Sequence, residues 1–318
     1  MMTSTRRWRL GWRENWLRAE PPDWRSALAV LAGALLLWPL THQLPMLGFD
    51  WRVYFWARDF RQYPPWIEWA LAPLLALPWR TGLAGLNALL LMTVAVSVAR
   101  EVFGGERRPA WRLTSNALGC VLLALFTPPT MILLWVGNIE AVALWGMLMM
   151  PVGIPWVLLK PHLGLWAVLS RRSWIIWAAA FGLLTLVVWQ FWPTRVLGSV
   201  TDRIQHPSAF GWASLGWPMI AIGLTLLAQT PPDPLALMAA GSFLSPFLMP
   251  QHFVLLLPAL GRVKGTRRLI LWAGTWLLLI PLIFNSGLKW LALGFPALVW
   301  WMLRAPPVSK SAANESPE

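Results

Sequence analysis

Asp50 is the residue best suited to chemistry, and it lies in the polar segment 48–54 directly after the first long apolar run of the chain. A carboxylate at the end of a membrane span is costly unless it is paired or used. One use is as a general base that takes the proton of an acceptor hydroxyl group. In a helix Asp50 and Tyr54 would share a face, with Arg52 close by as a cation. The structural alternative is a solvated aspartate in a loop, which could also cap a helix starting at Trp51.

Three further polar motifs interrupt apolar sequence, and each has a functional and a structural interpretation. Glu140 either lines a polar site or simply starts an apolar helix, where the helix dipole favours an acid. Lys160 either offers a cation to an anionic group or extends to the inner membrane interface. His252 either donates to a phosphate or sugar hydroxyl or serves a structural turn. The candidate substrate-binding residues are Arg52, Tyr54, Asn138, Glu140, Lys160, His162, Gln251 and His252.

The composition is that of a membrane protein. Hydrophobic residues make up 57% of the chain, charged residues 12%, and the mean hydropathy is +0.55. A soluble domain has roughly twice that charged fraction. The single cysteine, Cys120, rules out a disulfide framework. Several apolar runs reach the roughly 18 residues that cross a bilayer. We therefore predict an all-α, polytopic bundle of transmembrane helices.

The length of the apolar runs predicts about ten crossings, within a range of roughly eight to eleven. One broken crossing covers 137–169, and a hairpin of two short crossings covers 235–260. The apolar stretch 67–77 is too short to span and is predicted as an interfacial helix in the first outer loop, while 192–211 forms a second outer loop. The remaining spans are predicted near 26–47, 81–99, 113–135, 174–191, 212–229, 269–285 and 290–303.

The basic residues predict the orientation. The net charge is +13, and six arginines precede the first span. Since Lys and Arg favour the inner side, both termini should be cytoplasmic and Asp50 should face outward. Residues 1–25 would form a basic cytoplasmic segment, 26–304 a single transmembrane domain and 305–318 a disordered tail. No stacking or fold motif accompanies the basic segment, so we expect membrane lipids and no nucleic acid as its partners.

The sequence contains no P-loop, no glycine-rich nucleotide fingerprint after a strand and no His/Cys cluster with metal-ligand spacing. We therefore expect no metal and no other cofactor. Without a nucleotide site, a sugar or phosphate donor would be linked to a lipid.

The order of these motifs resembles bacterial glycosyltransferase family 87, which are polyprenyl-phosphate-sugar-dependent enzymes of the C-type superfamily. The resemblance runs over about residues 48–260, and its closest matches are Asp50-x-x-x-Tyr54 and Tyr63-Pro64-Pro65. Where this chain has Gly137-Asn138-Ile139-Glu140, the family often has Gly-Gln-x-Asn. The other matching motifs, in order, are Leu77-Pro78, Lys160-Pro161, Arg171-Arg172-Ser173-Trp174 and Ser245-Pro246 followed by His252.

The resemblance implies a multi-pass glycosyltransferase of the bacterial plasma membrane. Its donor would be a polyprenyl-phosphate sugar, of the mannose type, and its acceptor a hydroxyl group of a lipid or glycan. Asp50 would remove the acceptor proton during an inverting attack on the anomeric carbon. Lys160, His252 and Arg52 are the candidates to stabilise the charge of the departing lipid phosphate.

Two other functions remain open from the sequence. A transporter or lipid flippase would also use broken helices and intramembrane charges such as Glu140 and Lys160. In a non-catalytic membrane scaffold, Asp50 and His252 would lie far apart and each would be satisfied locally. An enzyme instead requires Asp50, Lys160 and His252 to converge on one outward-open cavity beside an apolar groove.

Overall fold

Helices form the described part of this protein, and many of them are short. The computed structural model describes residues 24–104, 114–204, 206–284 and 287–304. These ranges contain no β-strand, and one isolated bridge pairs Phe210 with Leu248. The predicted basic segment and the predicted tail lie outside the described residues, apart from the start of the first helix.

The α-helices, in chain order, are α1 (Trp24–Gln43), α2 (Ile67–Leu75), α3 (Trp79–Val102), α4 (Ser115–Leu125), α5 (Pro128–Val136), α6 (Glu140–Leu148), α7 (Ile154–Val157), α8 (Pro161–Val168), α9 (Arg172–Trp189), α10 (Trp192–Ile204), α11 (Trp212–Leu215), α12 (Pro218–Ala228), α13 (Pro234–Gly241), α14 (Ala259–Arg262), α15 (Thr266–Gly274), α16 (Ile280–Ile283) and α17 (Gly294–Arg304). A π-helix covers Trp51–Trp56. The 3₁₀ helices are Phe60–Gln62, Ser242–Leu244, Pro250–Leu256, Thr275–Leu279 and Gly287–Leu293.

Three helical segments of the described chain are long and apolar enough to cross a membrane: α3, α9 and the continuous run Thr266–Ile283. A fourth candidate is α4 with α5, which bend by 56° at the break between them. By length and composition the fold therefore supports three or four spans. The prediction of about ten crossings is finer than this and stays a prediction.

The helix α3 lies at the centre of the fold and α9 at its edge. In the apolar window of α3, 72% of residues are buried, against 11% for α9. A helix that is apolar on every side belongs either in a protein core or in lipid. Because α3 packs against α1, α4 and α6, it forms the frame on which the polar motifs are mounted.

Proline and glycine set the ends of the short helices that carry those motifs. Pro128 starts α5 and Pro161 starts α8, where a missing N–H costs nothing. Gly137 ends α5 in the left-handed conformation, with φ of 69°. The motif residues Asn138 and Lys160 therefore sit just outside helices, where their side chains can turn toward one another.

The structure refines several sequence predictions. The region 137–169 contains three separate helices, α6, α7 and α8, and 235–260 contains a mixture of α and 3₁₀ helix. The stretch 67–77 is mostly helical, as α2, but its position at a membrane interface stays a prediction. The segment 192–211, expected to be a loop, begins with the thirteen-residue helix α10. Within this segment, Trp192, Val196 and Leu197 have helical spacing.

Candidate functional site

Two glycines bring the Asp50 segment against the Asn138 segment. Gly48 and Gly137 both have left-handed backbones, with φ of 72° and 69°. The Gly48 N–H donates to the carbonyl of Trp135 at 2.7 Å. A Cβ atom at Gly137 would lie 3.1 Å from the Gly48 Cα and 2.6 Å from a methyl carbon of Leu83. Only glycine suits this close, left-handed approach, which places Asp50 next to Asn138.

Asp50 is held from across the fold and does not cap its own helix. It lies in a right-handed helical conformation, and its side chain makes no capping hydrogen bond. Instead its Oδ2 accepts a hydrogen bond of 2.7 Å from the Asn138 amide nitrogen, 88 residues away. The capping interpretation of Asp50 is therefore wrong. The residue Asp50 is half-buried, so a molecule at the surface can reach it.

Asn138 connects this carboxylate to a buried cation. Its Oδ1 accepts from Lys160 Nζ at 3.0 Å and lies 3.4 Å from the Tyr63 hydroxyl. A lysine can only donate and a carboxylate can only accept. The orientation of the amide between Asp50 and Lys160 is therefore fixed by chemistry.

Lys160 forms a buried ion pair with Glu140. Its Nζ lies 2.7 Å from Glu140 Oε1, and the two side chains are 2% and 0% exposed. The nitrogen also lies 5.2 Å from the centre of the Tyr63 ring. Lys160 thus points into the protein, and the interpretation in which it extends to the membrane interface is wrong. Pairing neutralises the two charges, which makes their burial tolerable.

Glu140 keeps acceptor capacity that the described residues do not fill. It is the first residue of α6, where the helix dipole favours it. Although Lys160 sits at ion-pair distance, neither carboxylate oxygen accepts a well-directed hydrogen bond from the part of the chain that the structure describes. Buried acceptors in this state are uncommon and call for an explanation.

Two histidines extend the network beyond Glu140. His252 Nε2 lies 3.6 Å from Glu140 Oε1, and His252 Nδ1 lies 3.0 Å from His162 Nε2. The Met249 N–H, which can only donate, points at His252 Nδ1 from 3.2 Å. His252 Nδ1 must therefore accept, so His162 Nε2 donates to it, and in neutral His252 the proton sits on Nε2, facing Glu140.

Gln251 and Arg52, which were also predicted site residues, make other contacts in the described structure. Gln251 is buried, and its amide nitrogen contacts the sulfur of Met249 at 3.4 Å. Tyr54 is half-buried against the apolar core. Arg52 is exposed, and its guanidinium lies 5.9 Å from the centre of the Trp79 ring. Arg80 lies against the same ring at 5.1 Å, so the two arginines form a cationic patch around Trp79.

Tyr63 belongs to the network, although it was not among the site residues predicted from the sequence. It is 2% exposed, contacts Asn138 and lies under Lys160. The available signal was composition, because the chain has only 2 tyrosines among its many aromatic residues. A tyrosine used where tryptophan is the common aromatic suggests a need for its hydroxyl group.

Two openings of the described structure lie away from the polar network. One is a groove of about 430 Å³ lined by α4 and Arg268, and the other is a void of about 20 Å³ near Arg100 and Pro258. Asp50, Lys160 and His252 do converge, as the enzyme interpretation requires, but neither opening is the outward-facing cavity that it also requires. In the described residues, no group of three His, Cys, Asp or Glu side chains is placed to hold a metal ion.

Comparison with known proteins returned no match: no protein-family model, no curated protein and no solved structure is significantly similar to this chain.

Proposed function

We propose that this protein is a membrane glycosyltransferase that moves a sugar from a polyprenyl-phosphate donor to a hydroxyl acceptor. One observation carries the proposal. Five polar residues from distant parts of the chain join in one continuous network within an apolar helical fold. They are Asp50, Asn138, Lys160, Glu140 and His252. Such a network is costly inside a membrane protein, and a reaction at its half-buried end would account for its presence.

The proposal includes the topology that the charges favour. About ten crossings would place both termini in the cytoplasm of a bacterial cell and Asp50 at the outer face of the plasma membrane. Polyprenyl-phosphate sugars present their sugar at the membrane surface, so a site at the end of a helix bundle suits them. The mannose-type sugar and the lipid or glycan acceptor belong to the same proposal and rest on the family resemblance.

In the proposed reaction, Asp50 acts as the general base. The acceptor oxygen attacks the anomeric carbon while its proton moves to the Asp50 carboxylate. The bond from that carbon to the phosphate oxygen breaks, and the polyprenyl phosphate leaves with the electron pair. A single displacement of this kind inverts the anomeric configuration. Asn138 is a positioning residue, since its amide N–H holds Asp50 Oδ2 at 2.7 Å.

The leaving phosphate needs nearby positive charge, and Arg52 with Arg80 is best placed to supply it. Both guanidinium groups lie against Trp79, and the Trp79 carbonyl accepts from the indole of Trp51, which is adjacent to Asp50 in the chain. The sequence also suggested Lys160 for binding the phosphate, but Glu140 balances the charge of Lys160. We therefore assign Lys160 to holding Asn138, and not to binding phosphate.

A transfer assay tests this proposal. Membranes that contain the wild type, Asp50→Asn or Glu68→Gln are incubated with radiolabelled polyprenyl-phosphate mannose, and label is followed into endogenous lipid and glycan. Glu68 is the matched control, because it is a carboxylate in the same predicted outer loop but is half exposed and paired with Arg58. We expect transfer by the wild type and Glu68→Gln and none by Asp50→Asn. Equal transfer by all three would remove Asp50 as the base.

A transporter or flippase is the second candidate, and the buried Lys160–Glu140 pair between broken helices favours it. In that case the protein, reconstituted in proteoliposomes, should move a labelled polyprenyl-phosphate sugar across the bilayer without forming any new glycoside. Loss of this movement in a variant without the pair, together with normal movement by Asp50→Asn, would support transport over transfer.

A further inference from the structure

A surface groove beside α4 and Arg268 has features that the proposed reaction does not use. It is lined by Asn116, Gly119, Leu122, Leu123 and Phe126 of α4 and the residue after it, and by Arg268 of α15. Its volume is about 430 Å³, within the range of ligand sites. The groove is open along one side, and its walls are largely apolar.

The sequence of α4 explains the shape of the groove. Asn116, Gly119, Leu123 and Phe126 are spaced by three or four residues, so they form one stripe along the helix. Within this stripe Gly119 leaves a gap, since a Cβ atom there would meet nothing within 4 Å. Leu122 and Phe126 are 46% and 60% exposed. An apolar channel therefore runs along the outside of the helix from its N-terminal end.

Positive charge lies at that N-terminal end. The half-buried Arg268 donates through Nε to the carbonyls of Leu260 and Val263, and through Nη1 to Asn116. In the part of the chain that the structure describes, no carboxylate pairs with it. The N-terminus of α4 adds its own partial positive charge, and the exposed Lys264 and Arg267 lie close in sequence.

We propose that this groove binds one anionic phospholipid, with its phosphate at Arg268 and one acyl chain along Gly119, Leu123 and Phe126. Arg268, with which no described carboxylate pairs, and the apolar channel match the two halves of such a lipid. A transmembrane helix from a second copy would use the glycine gap, but it would leave Arg268 without a counter-charge. The site is separate from the Asp50 network and does not depend on the proposed glycosyl transfer.

Native mass spectrometry of the full-length protein in detergent tests this proposal by titration with phosphatidylglycerol or phosphatidylcholine. Gly119→Leu fills the groove, and Gly182→Leu is its matched control, since Gly182 is also a helical glycine with open space around it. We expect the wild type to retain one phosphatidylglycerol at a concentration about fivefold lower than phosphatidylcholine. Gly119→Leu should lose this binding and Gly182→Leu should keep it.

The charge is tested separately with Arg268→Gln and its exposed neighbour Arg267→Gln. Arg268→Gln should bind both lipids equally and weakly, while Arg267→Gln should keep the preference for phosphatidylglycerol. Equal affinity of the wild type for the two lipids, or unchanged binding by Gly119→Leu, would overturn the proposal. A dimer that becomes a monomer in Gly119→Leu, with lipid binding unaltered, would show that a second copy occupies the groove.

Discussion

Two charged clusters in this protein use acids and bases in different ways. In the cluster around Arg262, the guanidinium donates from Nε to Glu101 at 2.7 Å and from Nη1 to Asp233. Asp233 also caps α13, accepting the N–H groups of Leu235 and Ala236. Burial alone would lower the pKa of Arg262, but the two carboxylates outweigh it and raise that pKa. Every member is engaged locally, so the cluster ties α3, α13 and α14 together.

The network around Lys160 is more deeply buried and less complete. Lys160 and Glu140 are 2% and 0% exposed, against 23% for Arg262 and 12% for each of its partners. Among the described residues, Glu140 accepts no well-directed hydrogen bond, and Asp50 at the other end is half-buried. This contrast indicates that the Arg262 cluster stabilises the fold, whereas the Lys160 network is arranged for something beyond the fold.

The largest expected effect on stability comes from removing Lys160. In Lys160→Met the Glu140 carboxylate would be buried without its counter-charge, at a cost of about 3–5 kcal/mol. Thermal unfolding in detergent should show a large fall in the apparent melting temperature. The double variant Lys160→Met/Glu140→Leu should recover most of that stability, and still lack transfer activity. Recovery of transfer in the double variant would mean that the pair is structural only.

Removal of Arg262 should have a smaller effect. Arg262→Gln breaks two charge-assisted hydrogen bonds that water can partly replace, so we expect a loss of about 1.5–3 kcal/mol. Transfer per folded molecule should stay at the wild-type level, because Arg262 lies in the other cluster. The same thermal unfolding experiment measures this variant, and a larger loss than in Lys160→Met would contradict the difference drawn between the clusters.

Asn138→Ala should impair the reaction more than the fold. Without its amide, Asp50 loses the hydrogen bond that orients it, and we expect a decrease of roughly tenfold in the transfer rate per folded molecule. Asn138→Gln keeps the amide on a longer side chain and should restore part of the rate. The measurement is the initial rate at saturating donor; unchanged rates in Asn138→Ala would show that the contact does not position the base.

The exposed pair between Arg58 and Glu68 supplies the smallest effect. Its nitrogen and oxygen are 3.4 Å apart, and its side chains are 66% and 50% exposed. An exposed ion pair contributes about 0–1 kcal/mol, so Glu68→Gln should change the melting temperature very little, and less still at high salt. A loss of stability comparable to that of Arg262→Gln would show that solvent exposure does not determine how much an ion pair contributes to stability in this protein.

The sequence indicated which polar residues need a partner, but it did not indicate which contacts they make. Asp50, Lys160 and His252 were singled out because a charged or polar residue in apolar sequence is costly and needs a reason. Their mutual arrangement depends on the close approach of Gly48 and Gly137 and on the position of Asn138 between two long-range partners. Nothing in local sequence encodes that bridge, so Tyr63 was missed and Arg52 was placed with residues that it does not contact.

For the fold too, some features could be predicted from the sequence and others could not. The all-helical class and the long apolar helix α3 followed from composition and run length. The breaks within 137–169 and 235–260 followed from their prolines, but the number of helices between those breaks did not, because tertiary packing decides how a proline-rich apolar run divides. The helix α10 was missed because 192–211 was predicted as a loop between two spans, although the first part of that segment has helical spacing.

The central claim is that the Lys160 network serves a reaction at Asp50, while the Arg262 cluster serves the fold. Its most direct test is the rate of sugar transfer per folded molecule in Asp50→Asn and Arg262→Gln, measured in the same membranes with polyprenyl-phosphate mannose as donor. We predict that Asp50→Asn retains its melting temperature and loses about 10²-fold or more in rate, while Arg262→Gln keeps the wild-type rate at a lower melting temperature. Wild-type transfer by Asp50→Asn would contradict the claim.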